Sequence, residues 1–118
     1  MALPFKPGDD LIFQLESGYG LLRVLAREPK GVDTVWHLLA YEELFPDTES
    51  AEQCLAIGNL HVRKAHLALT DRAFERTPAA KLGNRPVTND ELIPVNAWRE
   101  STSRHVHDRS ALLLLGLR

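Results

Sequence analysis

One cysteine, Cys54, stands in a chain of 118 residues. No internal disulfide can form, and a reducing compartment, the cytoplasm, is the expected location. Long apolar runs are missing as well, none approaching the ~20 residues needed to span a bilayer. The opening MALPFKPGDD holds one lysine and no long apolar block, which does not fit a secretory signal. No glycine-rich phosphate loop is present, because Gly18 and Gly20 sit between strand-like runs and no helix follows them. A G-x-S-x-G nucleophile elbow is also absent. These gaps leave no catalytic residue, metal or cofactor to assign, and an enzyme is not expected.

Aromatic residues are few, at 7%. That scarcity bears on the basic residues Arg63, Lys64, Arg72, Arg76, Lys81 and Arg85, which suit contact with a nucleic-acid backbone. Their stretch contains one aromatic, Phe74, too little for a base-stacking platform. The sequence pI of about 6.2 is also low for such a role. A nucleic-acid-binding module through the basic C-terminal half is therefore the alternative reading, not the first.

Apolar residues at 44% and charged residues at 25% match globular averages, which excludes wholesale disorder. The length fits a single domain, residues 1–118, burying roughly two thirds of the surface its unfolded chain exposes. The stretch Asp9–Arg27 (DDLIFQLESGYGLLRVLAR) reads as a β-hairpin turning at Ser17-Gly18. That turn pairs Leu15 with Gly20, Phe13 with Leu22 and Leu11 with Val24. With side chains alternating, one face collects Leu11, Phe13, Leu15, Gly20, Leu22, Val24 and Ala26. The other is mixed (Ile12, Gln14, Glu16, Tyr19, Leu21, Arg23, Leu25), so part of it is expected to be covered too.

Asp33–Glu43 predicts a third strand, apolar on both sides: Val35, His37, Leu39 and Tyr41 on one, Trp36, Leu38 and Ala40 on the other. Thr48–Ile57 predicts a short helix stopped by Gly58-Asn59, and Leu60–Thr70 a fourth strand. Lys81–Pro86 reads as a loop on its glycine and proline content. Thr88-Asn89-Asp90-Glu91 fits a capping box opening a helical turn interrupted near Pro94, with Trp98 as a core anchor. Ser110–Arg118 (SALLLLGLR) reads as a last strand, either central to the sheet or forming a homodimer interface. The fold class that results is α+β: a mostly antiparallel, strongly curved or barrel-like (SH3-like) sheet with one or two short helices.

Several residues invite a chemical reading. His105 and His107, two apart on a strand, would share a face as a metal site requires; they are half of a tetrahedral shell, and His61, His66 and Asp108 have no ligand spacing to complete it. A small metal-dependent enzyme using His105 and His107 is thus the least favoured function. His37, between Trp36 and Leu38, fits a buried structural histidine better than a tuned acid or base. Cys54 lies beside Glu52, whose carboxylate opposes thiolate formation. Asp9-Asp10 and Glu42-Glu43 are sequence neighbours that point to opposite faces of a strand, so neither forms a dyad and both read as solvated strand ends.

Charge is unevenly distributed. Residues 1–58 carry four Lys/Arg against ten Asp/Glu, and residues 59–118 ten against six, net −6 and +4. Either the halves pair in the fold or they present partner surfaces of opposite sign. Glu42, Glu43, Asp47, Glu49 and Glu52 place five carboxylates within 11 residues and no Lys or Arg among them. They are the candidate partner-binding residues, a local negative field that speeds encounter with a basic protein.

Lys6-Pro7-Gly8-Asp9, an apolar strand, Ser17-Gly18-Tyr19-Gly20 and Arg23-Val24-Leu25 together resemble the opening of a bacterial immunity-protein family that neutralises polymorphic toxins. The family often has an acidic residue where this chain has Ser17, and a glycine where it has Leu22. The resemblance covers about a fifth of the chain. It implies inhibition of a toxin by binding, without catalysis, and carries over no catalytic residue.

Overall fold

The computed structural model describes residues 3–117; Met1, Ala2 and the Arg118 end of the expected last strand lie outside the described residues. β1 (Asp9–Leu15), β2 (Gly18–Lys30), β3 (Asp33–Phe45), β4 (Val62–Thr70) and β5 (Ala79–Asn84) form one antiparallel sheet in the order β4-β3-β2-β1-β5. Between them run α1 (Thr48–Ile57), α2 (Asp71–Glu75), α3 (Asn89–Glu100) and α4 (Ala111–Leu115). The fold is α+β. The sheet stays open, its end strands β4 and β5 unpaired with each other among the described residues, where a barrel-like, SH3-like sheet was expected.

Both faces of the sheet are covered, which is why β2 and β3 are apolar on both sides. On one face Leu11, Phe13, Leu15, Leu22, Val24, Trp36, Leu38 and Leu69 pack under Phe5, Phe74 of α2, and Ala111 and Leu115 of α4. On the other, Ala51 and Leu55 of α1 close over Ile12 and Leu21, while Leu92 and Val95 of α3 close over Leu25, Ala26 and Leu39.

The expected hairpin faces are present, but the register differs by two. The turn is Glu16-Ser17 and Gly18 belongs to β2, so Leu11 pairs with Leu22, Phe13 with Gly20 and Leu15 with Gly18. A shift of two leaves every side chain on its face. Gly18 is drawn into the strand because the end of β3 passes over it: a Cβ there would lie 2.4 Å from the Phe45 carbonyl oxygen. Ala26 departs from the expected face, because a bulge between Val24 and Ala26 slips the alternation by one.

Gly20 makes room for the Phe13 ring. A Cβ at Gly20 would stand 2.4 Å from Phe13 Cζ, and the Phe13 ring is buried. Gly20→Ala is expected to destabilise the fold by about 1–3 kcal/mol through overpacking. Urea unfolding checks this, and a variant as stable as the parent would show that the ring is free to move.

Three further expectations are corrected. Ala79–Asn84 is a strand on β1, not part of a loop, because Lys81, Asn84 and the adjoining Arg85 supply partners that buried Asp9 and Asp10 require. Ser110–Leu117 is not a strand: Ser110 caps α4 by accepting from the Leu113 N–H, and Gly116 ends it at φ 69°. Spacing of four then sends Ala111 and Leu115 into the core and leaves Leu113 exposed, so a homodimer built on a C-terminal strand has no strand to use. Finally, α3 continues through Pro94 to Glu100. The bond that proline cannot donate belongs to the carbonyl of Asp90, an exposed residue open to water; beyond it Val95 packs with Leu25, Ala26 and Leu39, and Trp98 stands edge-on to the His37 ring.

Candidate protein-docking surface

Arg23, 1% exposed, organises the charges. Its Nε donates to Glu91 Oε2 at 2.6 Å, its Nη1 to Asp10 Oδ1 and the Gly8 carbonyl, and its Nη2 to Glu91 Oε1 and the carbonyls of Arg85 and Pro86. One guanidinium thus ties together β2, the start of β1, the chain after β5 and the first turn of α3. Arg85 forks onto the same Asp10 at 2.7 and 2.8 Å and also donates to Tyr41 Oη. Asp9 accepts from the Asn84 amide and from Lys6 N–H, with Lys81 at 3.2 Å.

Asp9 and Asp10 are therefore not solvated strand ends; they are 0% and 3% exposed. Burial alone would push the Asp9 pKa up, but Asn84, Lys6 and Lys81 together hold it below the usual carboxylate value. Glu91 shows the same balance, with burial outweighed by Arg23 and the Thr88 N–H. Arg85 is raised by its bonds to Asp10 despite burial.

These pairs also account for much of the charge asymmetry. Asp9 with Lys81, Asp10 with Arg85, Glu28 with Arg99 and Glu43 with His61 each join an acid of the first half to a base of the second. Of the ten acids in residues 1–58, six make no ion pair among the described residues: Glu16, Asp33, Glu42, Asp47, Glu49 and Glu52. Four of the six fall in the candidate segment, and all four are exposed.

α1 holds them there for local reasons. Asp47 caps it, its Oδ1 accepting from Ser50 N at 2.7 Å, and these bonds from Ser50 lower the Asp47 pKa. Gly58 ends it at φ 79°. Ala51 and Leu55 anchor the helix to the sheet, leaving Glu49 and Glu52 on the outer side. Glu43 differs from the other four, because its carboxylate accepts from the N–H and ring of His61. Leu44 and Ile57 add exposed apolar surface to the segment's neighbourhood, at 49% and 78% exposure. Beside α1 opens a cleft of about 280 Å³, lined by Glu52, Leu55 and Ala56 of α1 and by Leu82, Gly83 and Arg85 at β5.

The other candidates sit elsewhere. His105 and His107 lie in the loop before α4, ring centroids 4.3 Å apart, and among the described residues no group of three His, Cys, Asp or Glu could hold a metal ion. His37 is fully buried, its Nδ1 2.8 Å from His66 Nε2, with Trp98 edge-on at 4.7 Å. Its Nε2 has no hydrogen-bond partner among the described residues and lies 3.5 Å from Glu28 Oε1. Burial lowers the pKa of both histidines, His66 to about 4 with further help from His37 and Lys64. Trp98 is half-buried, a lid on this pair more than a core anchor, its Nε1 donating to the His105 carbonyl. Cys54 is partly buried against the Asn59 carbonyl.

Of the basic set, Arg72 and Arg76 bind the side chain and carbonyl of Asp108, Arg63 donates to the Leu115 carbonyl, and Lys81 and Arg85 serve the buried aspartates. Phe74 is 1% exposed and offers no stacking surface. No helix among the described residues is long and apolar enough to cross a membrane. No family model matches the chain, and neither a curated protein nor a solved structure matches it.

Proposed function

We propose that the chain is a non-enzymatic, cytoplasmic protein-binding domain that engages a basic protein through Glu42, Glu43, Asp47, Glu49 and Glu52, and that this partner is a toxin it inhibits by binding, as in the immunity proteins its opening resembles. The observation that carries the reading is where the unneutralised charge collects: Lys81, Arg85 and Arg99 neutralise three acids of the first half, Glu43 is held by His61, and four of the remaining six stand exposed on one short segment. A field of one sign beside exposed apolar side chains suits a partner of opposite sign. The resemblance of the Lys6–Leu25 stretch to the opening of toxin-neutralising immunity proteins supplies the kind of partner.

Charge reversal tests it. Glu49→Lys with Glu52→Lys is expected to slow association with the partner captured from native extract at least tenfold at low salt. Both positions are exposed and outside the core, so the fold is retained. Unchanged association would remove this surface from the function.

A further inference from the structure

The acidic segment borders a second feature that bears on how its partner is held. The sheet has two edges, treated differently. β4 is strapped along its outer side: Thr70 N–H donates to the His107 carbonyl and His107 N–H to the Ala68 carbonyl, at 3.1 and 2.8 Å. β5 has no such strap; among the described residues it pairs with β1 alone. A free strand edge is a row of unpaired N–H and C=O groups that accepts another extended chain.

The 280 Å³ cleft lies beside that edge, between α1 and β5. Its lining combines the aliphatic Leu55, Ala56 and Leu82 with Glu52 and with Asp10, Asn84 and Arg85. A Cβ at Gly83 would meet nothing within 4 Å among the described residues, so the space there is open. Arg85, the cation of the cleft, is already committed to Asp10. The remaining uncompensated charge is thus negative, and Glu52 belongs at once to the cleft and to the acidic segment. The exposed part of β4, by contrast, bears Arg63 and Lys64, which repel a basic chain.

We propose that an extended basic segment of the partner adds to β5 as a sixth strand, seating one aliphatic side chain in the cleft between α1 and β5 while its Lys or Arg neighbours meet Glu52 and Glu49. This rests on the acidic surface being the docking face, and specifies the conformation and chemistry of what docks there.

The test is an amide-resolved NMR titration of the full chain with the acetylated, amidated peptide Lys-Val-Lys-Leu-Lys-Val-Lys at low salt. A peptide with glutamate in place of each lysine serves as control. Expected are saturable shifts over 79–84 and 52–56, no response to the acidic control, and at least tenfold weaker binding to Gly83→Leu, which fills the cleft. The amide spectrum of that variant reports its own folding, and Glu52→Gln, expected to weaken binding severalfold, provides an independent check. Shifts confined to 42–52 would overturn strand addition while leaving the acidic docking face intact. Shifts along β4 would assign the wrong edge. Shifts at 79–84 that depend on protein concentration without peptide would make a second copy the occupant, against the proposal. No response to the basic peptide would overturn both this inference and the docking face beneath it.

Discussion

Arg23→Ala is expected to destabilise the protein by about 3–5 kcal/mol, the usual cost of removing one partner from a buried ion pair. The side chain is almost wholly inaccessible and donates to two carboxylates and three carbonyls. Its loss leaves Glu91 without its cation and Asp10 dependent on Arg85 alone. Truncation also leaves the carbonyls of Arg85 and Pro86 short of a donor, each a desolvation penalty, while the Gly8 carbonyl keeps the Arg85 N–H. Lysine is not an adequate substitute, since an ammonium cannot fork onto Glu91 while reaching Asp10, so Arg23→Lys is expected to recover less than half of the loss. Urea unfolding at pH 7 measures both. A cost below about 1 kcal/mol for Arg23→Ala would place the stability elsewhere, since that is the range of exposed ion pairs.

Acid is expected to weaken the fold in two separate windows. His66 releases its proton near pH 4 in the folded chain, against an ordinary value of 6.5. Between those values the unfolded chain binds more protons, so stability falls as pH falls from about 6.5 to 4. The full shift corresponds to roughly 3 kcal/mol, and partial exposure of His66 reduces the expected loss to about 2 kcal/mol. His37, lowered by burial, acts in the same direction, with Glu28 favouring its charged form and Arg99 and Lys64 opposing charge on the pair. The carboxylates Asp9 and Glu91, held below their ordinary values, lose their contribution only at lower pH, as each is protonated in the folded state. Urea midpoints followed from pH 7.5 to 4 should decline for the parent and less steeply for His66→Gln, in which the loss that remains comes from buried His37. A flat parent profile over that range would contradict the buried-histidine account.

Legibility in the sequence followed the range of the interactions involved. The faces of the hairpin could be read because alternation is local, and a two-residue error in the turn did not disturb them. The bounds of α1 could be read because Asp47 and Gly58 mark its ends directly. β5 was hidden: Ala-Ala-Lys-Leu-Gly-Asn has no alternation, and it becomes a strand because β1 offers an edge and two buried aspartates need partners some 75 residues away. In α4 the cap Ser110 and the stop Gly116 were both visible, but a run of leucines carries no period to choose helix from strand. For the docking surface, composition identified the acidic segment; which acids remain uncompensated depends on Lys81, Arg85 and Arg99, whose positions only the fold supplies.

Association kinetics against ionic strength test the docking face most directly. With the captured partner, the association rate of the parent chain should fall steeply between 0.02 and 0.5 M salt, about tenfold or more, while the Glu49→Lys, Glu52→Lys variant shows a flat or reversed dependence. Equal slopes for the two proteins would mean that Glu49 and Glu52, the carboxylates α1 holds outward, take no part in recognition.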